Sequence, residues 1–190
     1  MSLSWSVPEE TKPAPRHLLL VQAFINTWDA ERGTDVFLDP TSARDWLTRA
    51  GMWSERNSPE PAELFLARNV REDLRAVLAV NNGGPPPASD DLRTLQALIQ
   101  ASSLRMEIEP DGQITLGPES DSRLETQLAR LLVVIRDAQR EGTWMRLKAC
   151  HNPECRWAFY DRSHSQRGTW CDMAVCGNRI KNRRLRERRT

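Results

Sequence analysis

The chain has 190 residues, 39% of them hydrophobic, with 27 Lys+Arg against 26 Asp+Glu for a formal net charge of +1. That length holds one larger domain, or one ordinary domain with a small appendage, and it can bury a sizeable core. The N-terminal MSLSWSVPEE has no basic stretch followed by an apolar run, and the apolar run Leu18–Ile25 is interrupted by Gln22. A secretory signal and a bilayer span are both excluded on these grounds, and a reducing cytoplasm is expected.

The near-zero net charge hides an asymmetry. Residues 146–190 carry 12 Lys+Arg and 4 Asp+Glu, which is +8, while the remainder carries 15 and 22, which is −7. Two electrostatically opposite parts point to two functions.

Residues 1–16, with Pro8, Pro13 and Pro15 among charges, read as a flexible lead-in or extended arm. Leu18, Val21, Ile25 and Trp28 recur at helical spacing with Phe24 beside them, predicting a buried first helix that stops near Gly33. Asp39-Pro40-Thr41 opens a second helix with Ala43, Trp46 and Leu47 on one face and a stop at Gly51. Ser58-Pro59-Glu60 caps a long third helix whose face runs Leu64, Ala67, Val70, Leu74, Val77 and Leu78 to Asn81. After the Gly-Gly-Pro-Pro-Pro loop, Ser89-Asp90-Asp91 caps a fourth helix with Leu92, Leu95, Leu98, Ile99 and Ser102 inward. The period then changes to two: Leu104, Met106 and Ile108 alternate, Pro110-Asp111-Gly112 turns, and Ile114 and Leu116 alternate again, which is a β-hairpin. Asp121 or Ser122 opens a fifth helix with Leu124, Leu128, Leu131, Ile135 and Ala138 on one face, ending at Gly142.

The last part is organised by cysteine. Cys150 and Cys155 are separated by four residues, as are Cys171 and Cys176, with fifteen between the pairs. Two close pairs joined by a loop supply the closed tetrahedral sulfur shell of a structural zinc site, and four thiolates leave no open position for catalysis. His151 and His164 are the alternative ligands. Trp157 to Tyr160 reads as a short strand, and Trp157, Phe159, Tyr160 and Trp170 form the small core such a module needs, with base stacking as the other reading. From Cys176 onward the chain has helix-forming composition with Ile180 and Leu185 as its only large apolar residues. On that segment Arg179, Arg183 and Arg186 share one face and Lys181, Arg184 and Arg188 another, so a helix here can contact phosphates on both sides of a groove. Asn178 serves a turn or a base, Arg179 reads a base or closes an internal ion pair, and Asp161 accepts from Arg179 or from a backbone turn. Asn26 and Thr27 are the candidates for a ligand pocket between helices. No GxGxxG, P-loop, HExxH or GxSxG occurs, and no enzyme is expected.

Phe159-Tyr160-Asp161, Ser163, Arg167, Trp170-Cys171, Met173 and Cys176-Gly177-Asn178-Arg179 before a basic tail resemble the CGNR zinc fingers of bacterial transcription regulators. Phe24-Ile25-Asn26-Thr27, Asp39-Pro40 and Asp45-Trp46-Leu47 are similar to the opening motifs of the ABATE domain that usually precedes that finger. The resemblance implies a stress- or ligand-responsive DNA-binding regulator. The reading is therefore a mainly α protein with a small β-hairpin (17–142, a sensor or interaction domain) followed by a small α+β four-cysteine zinc-binding module (143–190). Duplex DNA is the expected partner, a small-molecule effector a further one, and a zinc-stabilised RNA- or protein-binding module is the alternative.

Overall fold

A computed structural model describes residues 10–54, 56–102, 104–118 and 123–188. The chain folds around α1 (Leu18–Ile25), whose seven residues other than Leu19 are all buried. A helix apolar on every side has to lie at the centre, and three others wrap it. These are α2 (Pro40–Arg49), α3 (Pro61–Asn81) and α5 (Leu124–Arg140). α4 (Arg93–Ala101) lies against α3 and α5 after a 3-10 turn over Ser89–Leu92. Phe24, Phe37 and Trp46 meet in a three-ring cluster with centroids 5.5 to 6.1 Å apart. Their tilted and edge-on arrangement suits the quadrupoles of the rings.

The first helix is shorter than its apolar spacing predicts. It ends at Ile25, and Trp28 lies in β1 (Trp28–Asp29), paired antiparallel with β2 (Thr34–Asp35). Local polar side chains account for this. The Thr27 hydroxyl donates to the Phe24 carbonyl, and the Asp29 carboxylate accepts from the Glu31 and Arg32 N–H groups, offering the backbone a turn in place of another helical repeat. The second helix starts where expected, with Asp39 accepting from the Ser42 N–H and Pro40 at the first position. The third begins later than Ser58: Glu60 is its cap residue, and the Glu63 carboxylate reaches back to the Glu60 N–H at 2.7 Å. On α4, Leu95 and Leu98 are buried but Ile99 is more than half exposed, so the inward face is narrower than predicted. The hairpin forms as β3 (Leu104–Ile108) and β4 (Ile114–Pro118), with Met106 opposite Leu116. Asp121 and Ser122, the predicted start of the fifth helix, lie outside the described residues.

Residues 10–16 do not hang free. The Lys12 carbonyl accepts from the Tyr160 N–H, Ala14 is buried, and its N–H donates to Gln22. Among the described residues no helix is long and apolar enough to cross a membrane.

Candidate metal centre and its basic helix

The cysteine module is built on β5 (Leu147–Ala149) and β6 (Ala158–Tyr160), an antiparallel pair with Lys148 opposite Phe159. Strand alternation divides its side chains between two environments. Leu147, Ala149, Ala158 and Tyr160 face the main core, whereas Phe159 packs with Cys150, Cys155 and Cys176 in a separate small core closed by Trp157, Trp170 and Cys171. The aromatics thus serve mainly as packing. β5 was not expected from sequence, because Leu-Lys-Ala is too short and mixed to show a period.

The four sulfurs lie within 4.8 Å of one another. Cys155 and Cys171 are 3.6 Å apart, and Cys171 and Cys176 3.7 Å. A tetrahedron with zinc–sulfur bonds of 2.3 Å has edges of about 3.8 Å, so the cluster already has the dimensions of a metal tetrathiolate. Its electrostatics are consistent with a cation. Hydrogen bonds from Cys155 and Cys171 pull the Cys150 thiol down to about 2, and the bond to Cys150 in turn pushes Cys155 up to about 12. One thiolate forms readily and opposes the next, so a divalent cation is what lets all four ionise together. His151 stacks edge-on against Trp170, and neither His151 nor His164 belongs to the cluster.

Around the sulfurs the backbone is fixed by short polar links. Asn152 is fully buried and points its amide at the Cys176 sulfur, 3.7 Å away. A π-helical turn over Met173–Gly177, capped by Asp172, leads into α6 (Asn178–Glu187). At Gly177 a Cβ would displace the end of the exposed Met173 side chain and meet Trp170 at 3.2 Å.

Asp161 accepts from a backbone turn, as one of its two expected partners, and not from Arg179. It is buried, accepts from Lys148 at 2.9 Å, and also receives the Ser163 hydroxyl and the Ser163 and Gly168 N–H groups. Burial raises its carboxyl, but the bonds from Ser163, Lys148 and Gly168 outweigh that and hold it well below the usual carboxylate range. A folded-state value below the unfolded one contributes stability above the unfolded pKa and loses it as pH falls through the folded one. Asp161→Asn should therefore cost its full stability at pH 7, and the gap to the wild type should narrow below about pH 4 in acid titrations followed by circular dichroism.

The basic residues are placed as follows. Arg179 pairs with Glu31 of the β1–β2 turn at 2.5 Å, and Arg183 with Glu154 between the first two cysteines at 2.6 Å. The internal ion pair of Arg179 is thus present. Asn178 donates to the Ala174 carbonyl at 3.0 Å, a turn contact. Lys181 and Arg188 rim a groove of about 330 Å³ whose walls are Trp170, Met173, Ile180 and Leu185. Arg186 is exposed on α6, and of Arg184 the backbone alone is described.

Asn26 and Thr27 belong to a seam between the module and the helices. The Asn26 side chain both accepts from the Ala158 N–H at 2.8 Å and donates to its carbonyl at 2.9 Å, copying a strand neighbour, and it also donates to Glu10. Thr27 bonds Phe24 and receives Arg71, which in turn forms a bidentate pair with Asp35 at 2.6 and 2.7 Å. Their polar groups are spent on the protein itself, so they act as seam rather than as pocket walls. Sequence reading missed the other seam residues: Gln22, Arg75, Asn81 and Asn82. Arg75 is fully buried and donates to the carbonyls of Ile25 in α1 and Arg156 in the cysteine knuckle. Asn81 holds the carbonyls of Trp144 and Leu147, and Asn82 those of Ala149 and Thr169. Charged and amide residues on an otherwise apolar helix face were the available signal.

Comparison with known families divides the chain in the same order. Residues 146–189 match the CGNR zinc finger, and residues 19–140 match the ABATE model, described as "Putative stress-induced transcription regulator". These are regulatory and zinc-finger families rather than enzymatic ones. No curated protein matches the chain.

Proposed function

Because the chain belongs to the ABATE family, matched over more than half its length, and ends in a CGNR zinc finger, we propose that it is a transcription regulator that binds duplex DNA through α6. Zinc is the occupant we assign to the four cysteines, as a structural clamp for a module whose own core is Phe159 and two half-buried tryptophans. The observation that carries the reading is the charge division: +8 on residues 146–190 against −7 elsewhere, with the cations concentrated on an exposed helix that begins two residues after the last ligand. Phosphate contacts are assigned to Arg179, Lys181, Arg183, Arg184, Arg186 and Arg188, with Asn178 at the start of the helix. Arg179 and Arg183 would exchange Glu31 and Glu154 for phosphate, which gives the N-terminal sensor or interaction domain a direct hold on the reading helix through Glu31.

Such binding depends steeply on salt. About six phosphate contacts lower affinity by roughly 2,000-fold between 50 and 200 mM monovalent salt. Replacing Arg183 and Arg184 by alanine should reduce the slope of log K against log salt by about 2, measured by fluorescence anisotropy on duplex DNA. Binding indifferent to salt, or none to a genomic DNA pool, overturns the proposal. The apolar groove rimmed by Lys181 and Arg188 favours a protein- or RNA-binding module as the second reading. Competition among duplex DNA, structured RNA and single strands separates the two.

A further inference from the structure

The β3–β4 hairpin turns its apolar side to water: Met106, Ile108 and Ile114 are 78%, 77% and 70% exposed. Three such side chains on one face expose on the order of 400 Å², the size at which a patch on a monomer marks a contact surface. Among the described residues β3 pairs only with β4, and every side chain from Arg105 to Pro110 is exposed.

The backbone shows which edge is open. The Glu109 N–H donates to the Gln113 carbonyl at 2.8 Å, which makes Glu109 and Gln113 a hydrogen-bonded pair. Pairs alternate along an antiparallel ladder, so Glu107–Thr115 and Arg105–Gly117 are bonded likewise, and the N–H and C=O groups of Leu104, Met106 and Ile108 point away from β4. The far edge of the hairpin is a poorer template, since β4 lies beside α5 and ends in Pro118, which has no N–H.

The strand Leu104-Arg105-Met106-Glu107-Ile108 is complementary to itself about its centre. When two copies pair antiparallel, Met106 meets Met106 of the second copy through the outward backbone groups, and Leu104 meets Ile108. Arg105 then falls directly opposite Glu107 of the second copy, twice, at the closer, non-hydrogen-bonded positions where cross-strand charge pairs interact most. From this coincidence of open edge, apolar flank and charge order, we infer that β3 is the dyad strand of a homodimer, continuing two hairpins into one four-stranded sheet. A patch below the roughly 800 Å² per partner of a standard interface calls for a weak, reversible dimer, so the test spans micromolar concentrations. The inference does not depend on nucleic-acid binding.

Sedimentation equilibrium of the metal-loaded full chain from 1 to 200 μM tests it. The expected result is a reversible dimer weakened at least tenfold by Arg105→Glu or Glu107→Arg alone, because each puts like charges across the dyad. The double swap Arg105→Glu/Glu107→Arg restores the order of charges and should bring dimerisation back to within about threefold of the wild type. Both positions are exposed, and unchanged circular dichroism verifies that each variant folds. A monomer throughout the concentration range, single variants that dimerise like the wild type, or a double variant as weak as the singles would each overturn it.

Discussion

Removing the proposed zinc, by chelation or by Cys176→Ser, should unfold the C-terminal module and abolish the proposed duplex binding while leaving most of α1 to α5 helical. The four sulfurs hold together segments whose other links are a few hydrogen bonds, the Arg183–Glu154 ion pair and the packing of Phe159 and two tryptophans. Cys150 follows β5, Cys155 closes the knuckle begun by Asn152, and Cys171 and Cys176 flank the turn into α6. Without a cation the bond to Cys150 keeps Cys155 protonated, so the sulfurs do not ionise together and the cluster has no attractive centre. α6 itself is highly polar, with Ile180 as its one buried large side chain, so it cannot persist as an isolated ten-residue helix. The loss propagates, because Leu147, Ala149, Ala158 and Tyr160 of the same module belong to the main core. Losing their support for even ~3 kcal/mol lowers the melting temperature of a chain this size by about 10 °C. The checks are metal content by mass spectrometry, melting by calorimetry and the near-ultraviolet signal of Trp157 and Trp170. A metal-free protein that melts and binds as before would refute the clamp.

Arg75→Ala should be the most destabilising single change outside the cysteines, by about 3–5 kcal/mol. This guanidinium is buried at the meeting point of α1, α3 and the cysteine knuckle. It donates to Ile25 O at 2.7 Å and Arg156 O at 2.9 Å, bonds Glu72 at 3.1 Å, and stands 4.9 Å from the Trp28 ring. Burial pulls it down to about 10, so it stays charged at neutral pH. Truncation leaves two carbonyls without their donor and opens a cavity, while Glu72 keeps Arg71 at 3.0 Å and Arg156 at 3.8 Å. Arg75→Lys should recover little, since one ammonium cannot span two carbonyls and a carboxylate in the planar fork geometry. Urea unfolding reads both variants. A cost below about 1 kcal/mol would show that the seam holds without this residue.

The seam also explains why β5 and β6, which lie beyond the division of the two matched families at residues 140–146, join the main core although the sulfur cluster keeps a small core of its own. Asn26 substitutes for a strand neighbour of Ala158, while Asn81 and Asn82 donate to the carbonyls of Trp144, Leu147 and Ala149 that run up to the first cysteine. α1 and α3 are therefore tied to the knuckle by hydrogen bonds, and the β1–β2 turn is tied to α6 by the Glu31–Arg179 pair.

What the sequence determined by itself is whatever depends on near neighbours. Asp39-Pro40 fixed a helix start through its own side chain and ring. The alternation around Pro110-Asp111-Gly112 fixed a hairpin, and the cysteine spacing fixed a tetrahedral cluster because each pair sits on one turn. Where the apolar period continued past Ile25 it misled, since Thr27 and Asp29 redirect the backbone locally. Tertiary structure alone decided the rest. Arg75, Asn81 and Asn82 acquire their roles from carbonyls 50 to 87 residues away. Asp161 belongs to Lys148, and Arg179 to Glu31, because only the folded chain brings these charges together. A side chain's period records which face is buried, whereas its partner depends on distant segments packing against it, and that information is not local in the sequence.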